Sequence, residues 1–190
     1  MEGTMKRLAL HDRKAWVEQA PIPSAHGANV VVRLESTPIC GSDKKHFLNP
    51  DKTIRYAGHE GTGVVVEVDK SNLVKVGDRV LTNCLSGCGV CEHCRSGNYV
   101  YCENKLPMDQ MASHFCQYTI LQDFLCIPLP EDISYDMGTL AGCVLAPAFQ
   151  TLQKMQVIPS DLVMVLGCGP VGLGAITIAK HYGTQFLAVE

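Results

Sequence analysis

The chain predicts a mixed α/β protein: a β-rich first part of barrel or sandwich type, followed by a βαβ unit. Two observations carry this. Short β-branched and aromatic runs, punctuated by glycine and proline, fill the first two-thirds of the chain. A buried apolar run then leads directly into G-x-G-x-x-G, a helical pattern and a second apolar run.

The strand-length runs are Val30–Leu34, Gly63–Val68, Arg79–Thr82 and Phe115–Ile120, separated by turn residues such as Pro21, Pro23, Gly27, Gly77-Asp78, Pro128 and Pro130. The character changes near Ser134, a suitable N-cap, with Asp136 suited to a first helical turn. The stretch to Met155 is helix-compatible but interrupted by Gly142 and Pro147. It is expected to form two short helices with Cys143 exposed at their junction. Pro159-Ser160-Asp161 then leads into Leu162–Leu166, the expected first strand of the βαβ unit. Beyond the glycines, Val171, Ala175, Ile178, Ala179 and Tyr182 recur on one helical face, Gly183 closes the helix, and Phe186–Val189 is a second strand ending at Glu190. The expected domains are residues 1–158 and 159–190.

The fingerprint Gly167-Cys168-Gly169-Pro170-Val171-Gly172 has a specific physical reading. Gly167 permits the tight turn, Gly169 lets the backbone approach a pyrophosphate, and Gly172 lets helix and strand pack closely. The pyrophosphate rests on free N–H groups at the positive end of the helix dipole. An acid about 20 residues past the glycines, Glu190, accepts ribose hydroxyls and repels a 2′-phosphate, which favours NAD over NADP.

Cys88, Cys91, Cys94 and Cys102 stand at C-x2-C-x2-C-x7-C. Thiolates at this spacing converge on one Zn²⁺ more readily than they pair with each other, and Gly87 and Gly89 supply bends. Four thiolates leave no open position, so such a site is structural. The start of the chain shows no apolar signal segment, so its ten cysteines read as reduced, in a cytoplasmic setting. Cys84, Cys116, Cys126 and Cys168 lack ligand spacing and read as buried apolar thiols. Sixteen basic against nineteen acidic residues, without charge runs, give no case for nucleic acid or a membrane surface. No apolar run approaches the roughly 20 residues of a membrane span.

Upstream lie Cys40-Gly41-Ser42-Asp43 and Gly58-His59-Glu60-Gly61-Thr62-Gly63. With Cys143 they supply two thiolates and one imidazole with room for a fourth ligand, the open arrangement of a catalytic zinc. On these residues the chain resembles the zinc-dependent medium-chain dehydrogenase/reductase family of alcohol, polyol and threonine dehydrogenases. Five motifs stand in the family's order: C-G-S-D at Cys40, G-H-E-G-x-G at Gly58, G-D-R-V at Gly77, the four-cysteine lobe from Cys88, and G-x-G-P-V-G at Gly167.

The resemblance implies a GroES-like β-barrel catalytic domain followed by the first βαβ unit of a Rossmann domain, each continuing in a longer protein. It implies Cys40, His59 and Cys143 as catalytic zinc ligands, with Glu60 able to approach the metal, Ser42 relaying the substrate proton, and Asp43 holding the histidine. Two zinc ions per chain, NAD, a small alcohol or carbonyl substrate and a homo-oligomer are the implied partners. The expected reaction is hydride transfer between a secondary alcohol or polyol and NAD. A zinc-free reductase is disfavoured by the ligand residues present, and the rival of another class is an inactive zinc-binding fragment or non-catalytic zinc module. Two positions depart from the family: Lys45, with His46 next to it, replaces the outer histidine of the proton relay, and Pro147 replaces a Thr or Val beside the nicotinamide.

Overall fold

The computed structural model describes residues 2–48, 54, 56–83, 85–105 and 113–190. The chain divides into two compact units, Met1–Thr139 and Leu140–Glu190.

The first unit opens on a hairpin of β1 (Thr4–His11) and β2 (Lys14–Pro21), with His11 opposite Lys14. Its two-residue loop puts Asp12 and Arg13 at φ of 44° and 61°, the tight hairpin turn whose twist matches the flanking strands. Neither residue is the glycine that usually announces such a turn, and neither strand was expected. Then follow β3 (Asn29–Ser36), α1 (Lys44–Leu48), β4 (Gly61–Val68), β5 (Arg79–Thr82), α2 (Glu92–Arg95), β6 (Tyr118–Gln122), β7 (Cys126–Pro128) and α3 (Tyr135–Thr139). The sheet order is β6-β3-β4-β5-β7, antiparallel throughout.

The strand expected at Phe115–Ile120 is shared between two partners. Leu8 N–H donates to Phe115 O at 2.8 Å and Gln117 N–H to Lys6 O at 3.1 Å, so this part bonds to β1. From Tyr118 onward the chain pairs with β3. One continuous segment thus ties the hairpin to the main sheet.

Val30, Val31 and Val32 are fully buried, so β3 is covered on both faces. The main core joins Val30, Val32, Val65, Val80, Leu121 and Leu125. Burying each such side chain contributes about 1.5–3 kcal/mol. Arg79 fastens β5 to the start of α3: its guanidinium donates to Pro130 O at 2.9 Å and Ile133 O at 2.6 Å, and lies 4.6 Å from the Tyr135 ring centre.

Ser134 caps α3, its Oγ accepting from Met137 N–H at 3.2 Å. The following segment corrects the expectation of two helices broken at Gly142 and Pro147. Ala141–Leu145 forms a π-helical turn, with Leu145 N–H donating to Leu140 O at 2.9 Å, and Cys143 within it is half-buried rather than exposed. Pro147 sits in the first turn of α4 (Ala146–Lys154), directly after the π-helical turn, where the widened helix accommodates a residue without an N–H.

The second unit continues with β8 (Leu162–Leu166), α5 (Pro170–His181) and β9 (Gln185–Val189), the two strands parallel. Leu152 of α4 packs with Val163, Val165 and Ala179. The compact division therefore falls at Thr139, ahead of the Ala141–Leu145 turn, whereas the sequence reading divides the chain at residue 158.

Of the thiols expected to be buried, Cys126 is buried, while Cys116 is half-buried and donates to Ser113 O and Tyr118 O at 2.8 and 3.0 Å. Cys168 is only half-buried, because it lies in the glycine turn at the end of β8. Cys84 lies outside the described residues. Among them no helix is long and apolar enough to cross a membrane.

Leu125, with no exposed surface, tests this core. Leu125→Ala is expected to destabilise the first unit by about 2–5 kcal/mol, read as a lower denaturant midpoint at unchanged slope; a midpoint equal to the parent's refutes the assignment.

Candidate functional site

The Sγ atoms of Cys88, Cys91, Cys94 and Cys102 lie within 4.8 Å of one another. Backbone N–H groups point at the sulfurs: Cys91 to Cys88 Sγ at 3.3 Å, Cys94 to Cys91 Sγ at 3.4 Å, and Cys88 to Cys102 Sγ at 3.3 Å. Cys91 thereby caps α2 with its own side chain. The N–H groups of Val90 and Cys91 pull the Cys88 thiol down to about 6, while burial pushes Cys94 up to about 11. A buried thiol of the second kind ionises only beside a cation.

At Gly87 a Cβ would stand 2.6 Å from Cys94 Sγ, so only glycine leaves the sulfur cradle open. Gln122 of β6 holds that glycine from both sides, donating to Gly87 O at 2.7 Å and accepting from Gly87 N–H at 3.2 Å. Four convergent sulfurs, amide donors to three of them and a cradle that a methyl would fill fit a closed tetrahedral zinc site.

Elsewhere in the first unit, Cys40 precedes a 3₁₀ turn, Gly41–Asp43. Asp43 is buried, and one of its oxygens accepts from Cys40 N–H at 2.9 Å. The other accepts from Gly58 N–H at 3.4 Å and lies 3.3 Å from His59 Nδ1. A proton on Nδ1 donated to Asp43 leaves the Nε2 lone pair for a metal. Glu60 Oε1 is 3.5 Å from that Nε2, and Glu60 is only 4% exposed. The ligand atoms of Cys40, His59 and Glu60 lie within 4.8 Å of one another. A thiol, an imidazole and a buried carboxylate in this arrangement fit Zn²⁺, whose charge offsets the cost of burying the acid.

Gly58 makes the turn into this site at φ +88°, and a Cβ there would strike both the ring and the backbone of Phe115 at 2.7 Å. Ser42 is exposed on the 3₁₀ turn, and Lys45 and His46 lie on α1. Cys143 belongs to the second unit.

In that second unit, Gly167 turns at φ +91° and donates its N–H to Val189 O at 2.7 Å. Gly169 is the N-cap of α5, Pro170 opens its first turn and Val171 follows. A Cβ on Gly172 would collide with the Gly167 carbonyl, so the helix packs on the turn only through glycine. Gly167, Gly169, Gly172, Val165, Pro147 and Thr151 line a groove of about 590 Å³. Glu190 Oε2 accepts from Cys168 N–H at 2.6 Å, which places the acid against the glycine turn itself.

Three positions escaped the sequence reading. Gln122 and Phe115 sit in strand-like runs and carry no spacing signal. His114 is buried, its Nδ1 3.3 Å from Gly58 O, and burial drives its pKa down to about 4.

Residues 26–131 match the alcohol dehydrogenase GroES-like domain. The chain belongs to the zinc-dependent medium-chain dehydrogenase/reductase family. It is 34% identical over 189 residues to a probable D-xylulose reductase A of Aspergillus clavatus, covering 91% of this chain and 51% of that protein. An L-threonine 3-dehydrogenase of a Shewanella species is 28% identical over 187 residues, covering 94% and 54%. Alcohol dehydrogenase TADH from Thermus sp. ATN1 superposes with a TM-score of 0.88 at 28% identity, covering 98% of this chain and 58% of its own. The chain thus spans about half the length of the curated relatives it matches. The fold is the family's mixed α/β arrangement, with a GroES-like domain first.

Cys94→Ser is expected to remove one zinc ion per chain and lower thermal stability, because a structural ion contributes directly to folding. Gly87→Ala, which crowds Cys94 Sγ, is expected to weaken retention of the same ion under a chelator. Metal content by elemental analysis checks both; an unchanged zinc count in Cys94→Ser counts against the lobe as a zinc site.

Proposed function

We propose that the full-length protein is an oxidoreductase transferring a hydride between a secondary alcohol or polyol and NAD. The observation that carries this is the Asp43 carboxylate, which joins the cysteine turn at Cys40 to the histidine turn at His59 and turns the Nε2 lone pair of His59 toward Glu60. Relatives named for D-xylulose reduction and L-threonine 3-dehydrogenation support a hydroxyl on a secondary carbon.

Cys40 and His59 would hold a zinc ion, which supplies Lewis-acid polarisation of a hydroxyl or carbonyl oxygen when bound. Asp43 fixes the tautomer of His59 and keeps its ring from rotating. Glu60 offers a carboxylate beside the open position, able to exchange with water or substrate. Ser42, exposed on the turn after Cys40, takes the substrate proton and passes it to solvent. Gly167, Gly169, Pro170, Val171 and Gly172 would cradle the pyrophosphate of NAD, whose nicotinamide supplies the hydride acceptor when bound. Glu190 accepts the ribose hydroxyls once it releases Cys168 N–H.

Two measurements test the proposal. His59→Ala in the full-length enzyme is expected to abolish NAD-dependent alcohol oxidation while the four-cysteine lobe keeps its zinc; near-normal turnover without the second ion overturns the metal-assisted mechanism. Titration with NAD and NADP is expected to show a clear preference for NAD that narrows in Glu190→Gln, which loses the charge repelling a 2′-phosphate. Equal affinity of the parent for both cofactors refutes the role given to Glu190.

A further inference from the structure

His114 belongs to none of the motifs, yet it reaches the histidine turn by two routes. Its backbone N–H donates to Gly58 O at 3.0 Å, and its ring Nδ1 lies 3.3 Å from the same oxygen. Phe115 N–H continues the pairing to Ala57 O at 3.1 Å. The ring is 5% exposed and is wedged against Gly61, where an added Cβ would come within 2.9 Å of His114 Cδ2. Its Nε2 is buried and has no hydrogen-bond partner among the described residues.

That last fact separates packing from function. A leucine of similar size would fill the space without burying a bare nitrogen, so the ring's polar atoms cost stability unless one of them is used. The atom in use is Nδ1, whose proton satisfies the second lone pair of the Gly58 carbonyl. Gly58 is also held from its other side, since its N–H donates to Asp43. Both peptide groups flanking Gly58 are therefore fixed, at a φ of +88° that few residues adopt, and the next residue is His59.

We propose that His114 is a positioning residue for the metal site: its Nδ1–H clamps the Gly58 carbonyl and so fixes the direction in which His59 presents Nε2. The role rests on the reading of Cys40 and His59 as metal ligands. It requires a donor at the Nδ1 position and nothing from Nε2.

Co²⁺ titration of the full chain tests this, because the visible bands of an all-sulfur site differ from those of a mixed cysteine–histidine site. His114→Leu is expected to weaken Co²⁺ binding at the mixed site about 10-fold, the range for loss of a group that orients a ligand, with the four-cysteine bands unchanged. His114→Asn places an amide N–H near the Nδ1 position and is expected to keep close to parent affinity. His114→Gln, whose amide sits a bond further out, is expected to behave like His114→Leu. Equal affinity across the parent and all variants overturns the proposal, as does His114→Asn binding as weakly as His114→Gln, a comparison that stands even where the leucine variant does not fold. A parent without mixed-site bands overturns the metal reading itself, and this inference with it.

Discussion

The buried carboxylate of Asp43 is the constraint on which the first unit's chemistry depends. Cys40 and His59 are nineteen positions apart with α1 between them, so no short spacing sets their distance. One carboxylate accepting from Cys40 N–H and Gly58 N–H, with His59 Nδ1 beside it, sets it. Burying that acid is costly unless its oxygens are satisfied, and these three partners satisfy them. The neighbouring Glu60 is also buried, and its contact with His59 is long at 3.5 Å. A thiol and a buried carboxyl group beside one imidazole are a donor set that a divalent cation fits.

The four-cysteine lobe answers a different problem. Its regular elements are one turn of α2 and a 3₁₀ turn at Tyr99–Tyr101, too short to bury a core of their own. Val90, Val100 and Tyr101 are exposed, so apolar burial contributes little there. Convergent sulfurs take the place of that core, anchored to the sheet by Gln122 and by Tyr99 packing on Phe124 at 5.3 Å between ring centres. The two metal arrangements therefore differ in what the metal would supply: folding energy in the lobe, an open coordination position beside Cys40 and His59.

What was legible in the sequence was whatever depends on short spacing. The cysteine lobe, the glycine fingerprint and the strands β3, β4 and β5 announce themselves through residues a few positions apart. The β1–β2 hairpin did not, because Asp12 and Arg13 adopt positive φ without the glycine that usually marks such a turn. The π-helical turn at Ala141–Leu145 rests on a bond from Leu145 N–H to Leu140 O, a spacing that the 3.6-residue apolar period does not mark, and the sharing of Phe115–Gln122 between two partners depends on pairings distant in sequence. His114 escaped for the same reason: its meaning lies in Gly58, fifty-six residues away, and a lone histidine in an apolar run reads as core.

The glycine turn after β8 shows how a neighbouring strand can satisfy exposed amides. Without a ligand, the amides of a glycine turn are orphan donors, and a turn that exposes them is free to distort. Here the Cys168 N–H is taken by Glu190 and the Gly167 N–H by Val189 O. The turn is thus held in shape by the end of β9 and by Glu190, which follows it. Under the proposed function, a dinucleotide exchanges one charge-assisted hydrogen bond for ribose hydroxyls on Glu190 and phosphate oxygens on the helix end. The exchange keeps the carboxylate partnered throughout, so binding does not have to desolvate a bare charge. Under the same proposal, the contact holds Glu190 against the glycine turn, where discrimination against a 2′-phosphate would have to act.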